Sequence, residues 1–186
     1  MAILFPSHGS EAKLIGWVDS DYAGDTDDRK SCTGYVFQVN SAPVSWRSKK
    51  QAVVTLSSTE AELVAATAAA QEAVFLRTLL SQLGAPQAGQ TTLYEDNQGG
   101  IAMTRSGSHS TRIKHLDIKY KYIRQAIEEG QVQLEYCPTS EMLADILTNP
   151  VAKIKSPHSV RALVFSRPIH SSGRSGSVGG KRRATL

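Results

Sequence analysis

The 186-residue chain carries 40% apolar side chains, which suits one domain of usual size with a real core, plus a tail. No window approaches the ~20 apolar residues of a membrane span, and residues 1–8 lack the charged head, apolar stretch and cleavage site of a secretory signal. Its two cysteines, Cys32 and Cys137, show no metal-ligand spacing and are expected as free thiols in a reducing compartment. The net charge of +4 belongs to the tail: removing Arg167, Arg174, Lys181, Arg182 and Arg183 from the 21 basic residues leaves 16 against 17 acidic ones, a balance of −1. A uniformly basic surface is thereby excluded, and any affinity for nucleic acid must come from local patches or from the tail.

Leu14 to Val18 is a β-friendly, uncharged run that ends in Asp19 and Asp21. Two residues apart on an extended chain, these carboxylates share one face, and together they favour a counter-cation or a raised pKa. The alternative is an Asp-rich turn, since Asp25, Asp27 and Asp28 follow. Two further strands are expected at Thr33–Val39 and Pro43–Arg47, with Asn40-Ser41 as hairpin chemistry between them. Lys49, Lys50 and Gln51 then read as a short basic connection, either a solvated edge or a phosphate contact.

A long helix starts near Ser57, where Ser57 with Glu60 and Thr59 with Glu62 both fit the capping-box spacing. Gly84 and Pro86 stop it. A rotation of about 100° per residue gathers Ala65, Ala66, Ala69, Ala73, Leu76, Leu80 and Leu83 on one stripe. Glu62 lies on the centre line of that stripe, whereas Glu60 points away and reads as a cap. A carboxylate on the sheet-facing side costs free energy unless something compensates it, so Glu62 is a candidate for a site, with capping as the alternative.

The next strand, Thr91–Tyr94, runs into Glu95-Asp96-Asn97, repeating the design of the first: strand, then acid. Asp96 either caps the short helix Gln98–Arg105 or serves a site. Gly99 and Gly100 weaken that helix by roughly 1 kcal/mol each relative to alanine. Arg112 to Glu129 reads as another helix with Leu116, Tyr120, Ile123 and Ile127 inward. Arg112, Lys114, His115, Lys119, Lys121 and Arg124 make its first part basic, a solvated face or a phosphate-binding one. Val132, Leu134 and Tyr136 alternate with polar residues as a half-buried strand. Ser140 can cap a final helix through Thr148, with Asp145 as its inner acid, and Asn149-Pro150 ends it. Residues 166–186, rich in Ser, Gly and Arg, are expected to be disordered.

Acids from four separate elements, with no His/Cys metal spacing and no Gly-rich phosphate loop, point to hard, oxygen-loving cations, Mg²⁺ or Mn²⁺. Two such ions about 4 Å apart can activate a water on one side of a phosphodiester and stabilise the leaving oxygen on the other. That is nuclease chemistry.

The blocks Gly16-Trp17-Val18-Asp19-Ser20-Asp21-Tyr22-Ala23-Gly24-Asp25, Ser45-Trp46-Arg47-Ser48-Lys49-Lys50-Gln51, Leu56-Ser57-Ser58-Thr59-Glu60-Ala61-Glu62, Glu95-Asp96-Asn97-Gln98, Lys114-His115-Leu116-Asp117-Ile118 and Ala144-Asp145-Ile146-Leu147-Thr148 occur in one order. In that order they resemble the RNase H domain at the end of copia-type retrotransposon Pol polyproteins. The resemblance implies an α/β fold, the RNase H-like one, with a five-stranded mixed sheet in the order 3-2-1-4-5 flanked by helices. It implies hydrolysis of the RNA strand of RNA/DNA hybrids with two Mg²⁺ or Mn²⁺ ions, RNA being selected through its 2′-hydroxyl. Asp19, Glu62, Asp96 and Asp145 fall on the four catalytic, metal-binding acids, agreeing with the helix phase that separates Glu62 from Glu60. Arg112, Lys114 and Lys121 are expected to contact the DNA-strand phosphates.

Domain limits follow as residues 1–12, a remnant of a connection to a reverse transcriptase domain in the parent polyprotein; 13–164, the RNase H-like domain; and 165–186, the basic tail. The chain thus reads as a detached fragment, cytoplasmic in virus-like particles or nuclear by analogy, with no membrane partner and no secretion. Two departures stand out. The loop Cys137-Pro138-Thr139-Ser140-Glu141 has none of the histidine that cellular members carry before the last acid. Gly100 and Asn149 stand where the family tends to have alanine and lysine, a sign of drift. The basic tail and this drift motivate the alternative function, a catalytically inactive RNA- or hybrid-binding relic.

Overall fold

The computed structural model describes residues 12–106 and 114–149. Five strands, β1 (Leu14–Asp21), β2 (Cys32–Val39), β3 (Ala42–Lys50), β4 (Thr91–Glu95) and β5 (Val132–Tyr136), form one sheet in the order β3-β2-β1-β4-β5. The first three pair antiparallel, and β4 and β5 add in parallel, so the mixed sheet implied by the resemblance is present. The β2–β3 hairpin closes through Asn40 and Ser41, both at positive φ (49° and 68°), the conformation that a two-residue turn between twisted strands demands. β3 runs past its expected end at Arg47: Lys49 and Lys50 pair with Thr33 and Cys32 and are strand, not connection. There Lys50 forms ion pairs with Asp25 and Asp28, which tie the edge strand to the Asp-rich turn.

Helix α1 (Ser58–Gln82) covers one face of the sheet. Ser57 caps it by accepting from the Glu60 N–H at 3.2 Å, and the Glu60 carboxylate reaches back to the Leu56 N–H at 2.7 Å. Glu60 is thus spent on the helix end. Ala65, Ala66, Ala69, Ala73 and Leu76 are buried against the sheet, as their stripe predicts, whereas Leu83 is 72% exposed because the helix has ended at Gln82. By length and mean hydropathy α1 matches a membrane span, correcting the expectation that no such stretch exists; half of that apolar window is buried in the core. Helix α3 (Lys114–Glu128) packs on α1 through Tyr120 and Ile123, and α2 (Gln98–Ser106) follows β4 directly.

The other face of the sheet is covered by the segment after β5. Cys137, Met142 and Ala144 pack there against Trp17 and Tyr94, whose rings lie 5.6 Å apart. The expected single helix from Ser140 to Thr148 is not formed. A 3-10 turn at Thr139–Glu141 gives way to an extended Met142, and only Asp145–Thr148 is helical, as α4. Burial of Met142 and Leu143 pulls the chain flat onto the sheet and breaks the helical repeat. The two cysteines are free.

Gly16 shows how tightly the main core is filled. A Cβ there would stand 2.6 Å from the Phe37 ring and 2.7 Å from Leu93 Cδ2, both fully buried. Gly16→Ala is expected to lower stability by roughly 1–3 kcal/mol through overpacking; a urea midpoint equal to the parent's would refute this.

Candidate metal centre

The parallel register of β1 on β4 pairs Ile15 with Thr92, Gly16 with Leu93 and Trp17 with Tyr94. Continued by two residues, the same offset sets Asp19 beside Asp96 at the carboxyl ends of adjacent strands. Strand alternation turns Asp19 to the face of Trp17, and Asp96 is the first residue after β4. Glu62 enters from the first turns of α1, and one ligand oxygen from each of Asp19, Glu62 and Asp96 fits within 4.8 Å of the others. Helix phase and the strand-then-acid pattern had singled out these three. Asp145, the fourth expected acid, lies outside that group and opens α4 as its first residue rather than sitting inside a long helix. Its charge nonetheless reaches Asp19.

Burial and neighbouring carboxylates raise the cost of ionising Asp19 and Glu62. Asp19 is pushed up to about 6, by burial first, then by the charges of Asp96 and Asp145; the Thr148 hydroxyl opposes the rise. Glu62, 5% exposed, is pushed up to about 9 by burial and by Asp19 and Glu95. The neighbouring Ser20 hydroxyl opposes the rise, but buried Oε2 completes no hydrogen bond of full geometry. An all-oxygen donor set with an unsatisfied buried oxygen fits a hard divalent cation, which would repay the desolvation.

Glu95 was passed over by the sequence reasoning. It is 1% exposed, and neither carboxylate oxygen has a partner. Its position on β4 shares the face of buried Leu93, so continuing the strand alternation one residue past Tyr94 would have exposed it as an inward acid. Gly100 of α2 makes its room: a Cβ there would stand 2.3 Å from Glu95 Oε1 and 3.6 Å from Glu62 Cβ. The glycine read as drift therefore accommodates a buried acid. Burial, then Asp96 and Asp19, push Glu95 up to about 8.

Asp21 does not join the cluster. It accepts a hydrogen bond from the Cys32 N–H, while Asp25 accepts from the N–H groups of Asp27 and Asp28, so the turn reading holds for these acids. Of the basic candidates, Lys121 is exposed on α3 and pairs with Asp117 at 2.8 Å. Arg112 lies outside the described residues, as do residues 1–11, residues 150–164 of the expected domain and the expected tail 165–186, and Lys114 is the first residue of α3.

The chain is 39% identical over 147 residues to the retrovirus-related Pol polyprotein from transposon TNT 1-94 of Nicotiana tabacum, covering 79% of this chain and 11% of that protein. Against secreted RxLR effector protein 161 of Plasmopara viticola it is 57% identical over 65 residues, 35% of this chain and 46% of that one. In fold it is similar to LC11-RNase H1 in complex with an RNA/DNA hybrid, with a TM-score of 0.55 at 15% identity, covering 74% of this chain and 95% of that one. No family model matches. The chain spans about a tenth of the length of the Pol polyproteins it matches.

Three acids with raised pKa values make stability fall as pH rises. Each favours the folded state fully below its unfolded value near 4, and that contribution is lost through about 6 for Asp19, 8 for Glu95 and 9 for Glu62. The cation-free chain is expected to lose stability between pH 5 and 9, and Glu95→Gln to flatten the upper part of that decline. A urea midpoint that is level or rises over this range would contradict the assignment.

A five-stranded mixed sheet, an acidic cluster at its strand ends and Pol polyprotein homology over four-fifths of the sequence together identify the chain as an RNase H-fold relative of the retrovirus-related Pol polyproteins of plant transposons.

Proposed function

We propose that the chain is a metal-dependent ribonuclease H that cuts the RNA strand of RNA/DNA hybrids, as a fragment whose parent polyprotein also carries a reverse transcriptase. The observation that carries this reading is the convergence of Asp19, Glu62 and Asp96, from two strands and a helix, on one cation-sized space. Asp19, Glu62 and Asp96 would hold Mg²⁺ or Mn²⁺, with Asp145 completing the site for a second ion. When bound, such ions supply an activated water and stabilise the leaving oxygen of a phosphodiester.

The chain's own residues supply position. Parallel pairing of β1 and β4 fixes the spacing of Asp19 and Asp96. Burial of Glu62 keeps one side of the cluster dry, which strengthens its attraction for a cation. Thr139, in the turn after β5, donates to Asp96 Oδ2 at 2.7 Å, so the loop that lacks a histidine still touches the cluster. The 2′-hydroxyl marks the strand to be cut, and Arg112, Lys114 and Lys121 serve the phosphates of the DNA strand.

Incubation of the purified chain with a labelled hybrid and Mg²⁺ is expected to shorten the RNA strand only. Asp96→Asn, nearly isosteric, should lower the rate by more than about 100-fold with the fold kept. Equal cutting by both proteins would refute the site, and binding without cutting by either would favour the inactive relic. Alanine at Arg112, Lys114 and Lys121 together should weaken hybrid binding and reduce the slope of log affinity against log salt by roughly three, about one per phosphate contact; an unchanged slope would remove these residues from the interface.

A further inference from the structure

Besides the acids, a buried hydroxyl belongs to the cluster's geometry. Thr148, 3% exposed, donates from its Oγ to Asp19 Oδ2, a partner 129 residues earlier in the chain. It sits on α4, a helix of four residues that has no stability of its own and is held by what it touches. The contacts come from the far side of the sheet. Gly34 of β2 lies directly beneath: a Cβ there would stand 2.7 Å from Thr148 Cγ2, 3.0 Å from the Ala144 carbonyl oxygen and 3.0 Å from Leu147 Cβ. Ser48 of β3 donates from its Oγ to the Leu147 carbonyl at 2.6 Å. The Thr148 hydroxyl also lies 3.1 Å from the Asp145 carbonyl oxygen, so one side chain links the backbone of one candidate acid to the carboxylate of another.

We propose that Thr148 is a positioning residue for the cation site: docked by Gly34 and Ser48, its hydroxyl fixes the rotation of the Asp19 carboxylate and leaves the remaining lone pairs turned to Glu62 and Asp96. The inference rests on reading Asp19, Glu62 and Asp96 as the cation site. An ionised carboxylate offers about four acceptor positions, and one hydrogen bond is enough to set its plane. Partners that orient a ligand in this way are commonly worth about 10–100-fold in cation affinity. A hydroxyl that only closed the end of α4 on the Asp145 carbonyl would matter for stability and leave affinity untouched.

The two roles separate in a calorimetric Mn²⁺ titration of the whole chain, its Thr148→Val isostere and Thr148→Ser, run beside Mg²⁺-dependent hybrid cleavage. Thr148→Val is expected to weaken Mn²⁺ binding by about 10-fold or more and to lower kcat with KM for the hybrid little changed, while Thr148→Ser restores both. A folded Thr148→Val with the parent's Mn²⁺ affinity overturns the proposal. If Thr148→Val loses its circular-dichroism signature, Ser48→Ala decides instead: removal of that exposed clamp should weaken Mn²⁺ binding by a smaller factor, and unchanged affinity overturns the proposal. A parent chain that binds Mn²⁺ yet leaves the hybrid intact defeats the nuclease reading alone, since the Mn²⁺ comparison still decides Thr148. A parent that binds no Mn²⁺ overturns both.

Discussion

The pairing of β1 with β4 is the constraint on which the site depends. Both strands are largely buried and carry no charge before their acidic ends, so both can lie in the middle of the sheet, and parallel pairing then brings those ends to the same rim. An antiparallel neighbour could not do this, because it would deliver its acid to the opposite edge. β2, which is antiparallel to β1, instead places Gly34 opposite Asp19. The missing side chain there is as useful as a ligand would be, since it lets α4 approach the sheet closely enough for Thr148 to reach Asp19. β1 thus has an acid beside it on one side and, on the other, a glycine over which α4 packs.

Concentrating carboxylates in this way works against the folded state. Asp19, Glu62 and Glu95 are all held above their ordinary pKa values, chiefly because burial strips them of water. Hydrophobic packing beneath them must offset that cost, and it is dense there: Val18, Leu63, Leu93 and Ile101 all belong to the main core. Glu95 sharpens the point, because it sits on the core side of β4 with both oxygens unpaired and with Gly100 left bare to admit it. The pattern is that of a site whose electrostatic strain is relieved by a ligand rather than by the protein itself.

What the sequence reveals depends on how local each determinant is. Glu62 was separable from Glu60 because a helix repeats every 3.6 residues, and the structure puts Glu62 in the cluster and Glu60 on the cap. Asp19 was legible because it ends the apolar run of β1, and Asp96 because it follows a strand directly. The turn at Asn40-Ser41 followed from the preference of those residues for positive φ. Less legible was α4: Ser140 and the apolar run after it satisfy the rules for a helix, and only tertiary burial of Met142 and Leu143 overrides them. Thr148 could not have been found at all, because its importance lies in a contact with Asp19 that no local pattern encodes. Glu95 was within reach, had alternation been followed to the end of β4.

The distribution of apolar contacts divides the protein along a line that passes through the site. Asp19 and Glu62 stand on elements of the large core between the sheet and α1, and Asp96 directly follows β4, another of them. Asp145 and Thr148 stand on a segment anchored by a separate and much smaller cluster, Cys137, Met142 and Ala144 against Trp17 and Tyr94. Because local stability follows buried apolar contact, the second group is held less firmly than the first. Hydrogen bonds make up part of the difference: Ser48 to the Leu147 carbonyl, Thr148 to Asp19 and Thr139 to Asp96 each tie the segment to the sheet or its rim. Two of these three end on cluster carboxylates. A cation that orders Asp19 and Asp96 therefore also orders the acceptors on which the small segment hangs. If the cluster takes up a cation as proposed, its binding and the docking of the last helix form one coupled equilibrium, in which whatever strengthens either must strengthen the other.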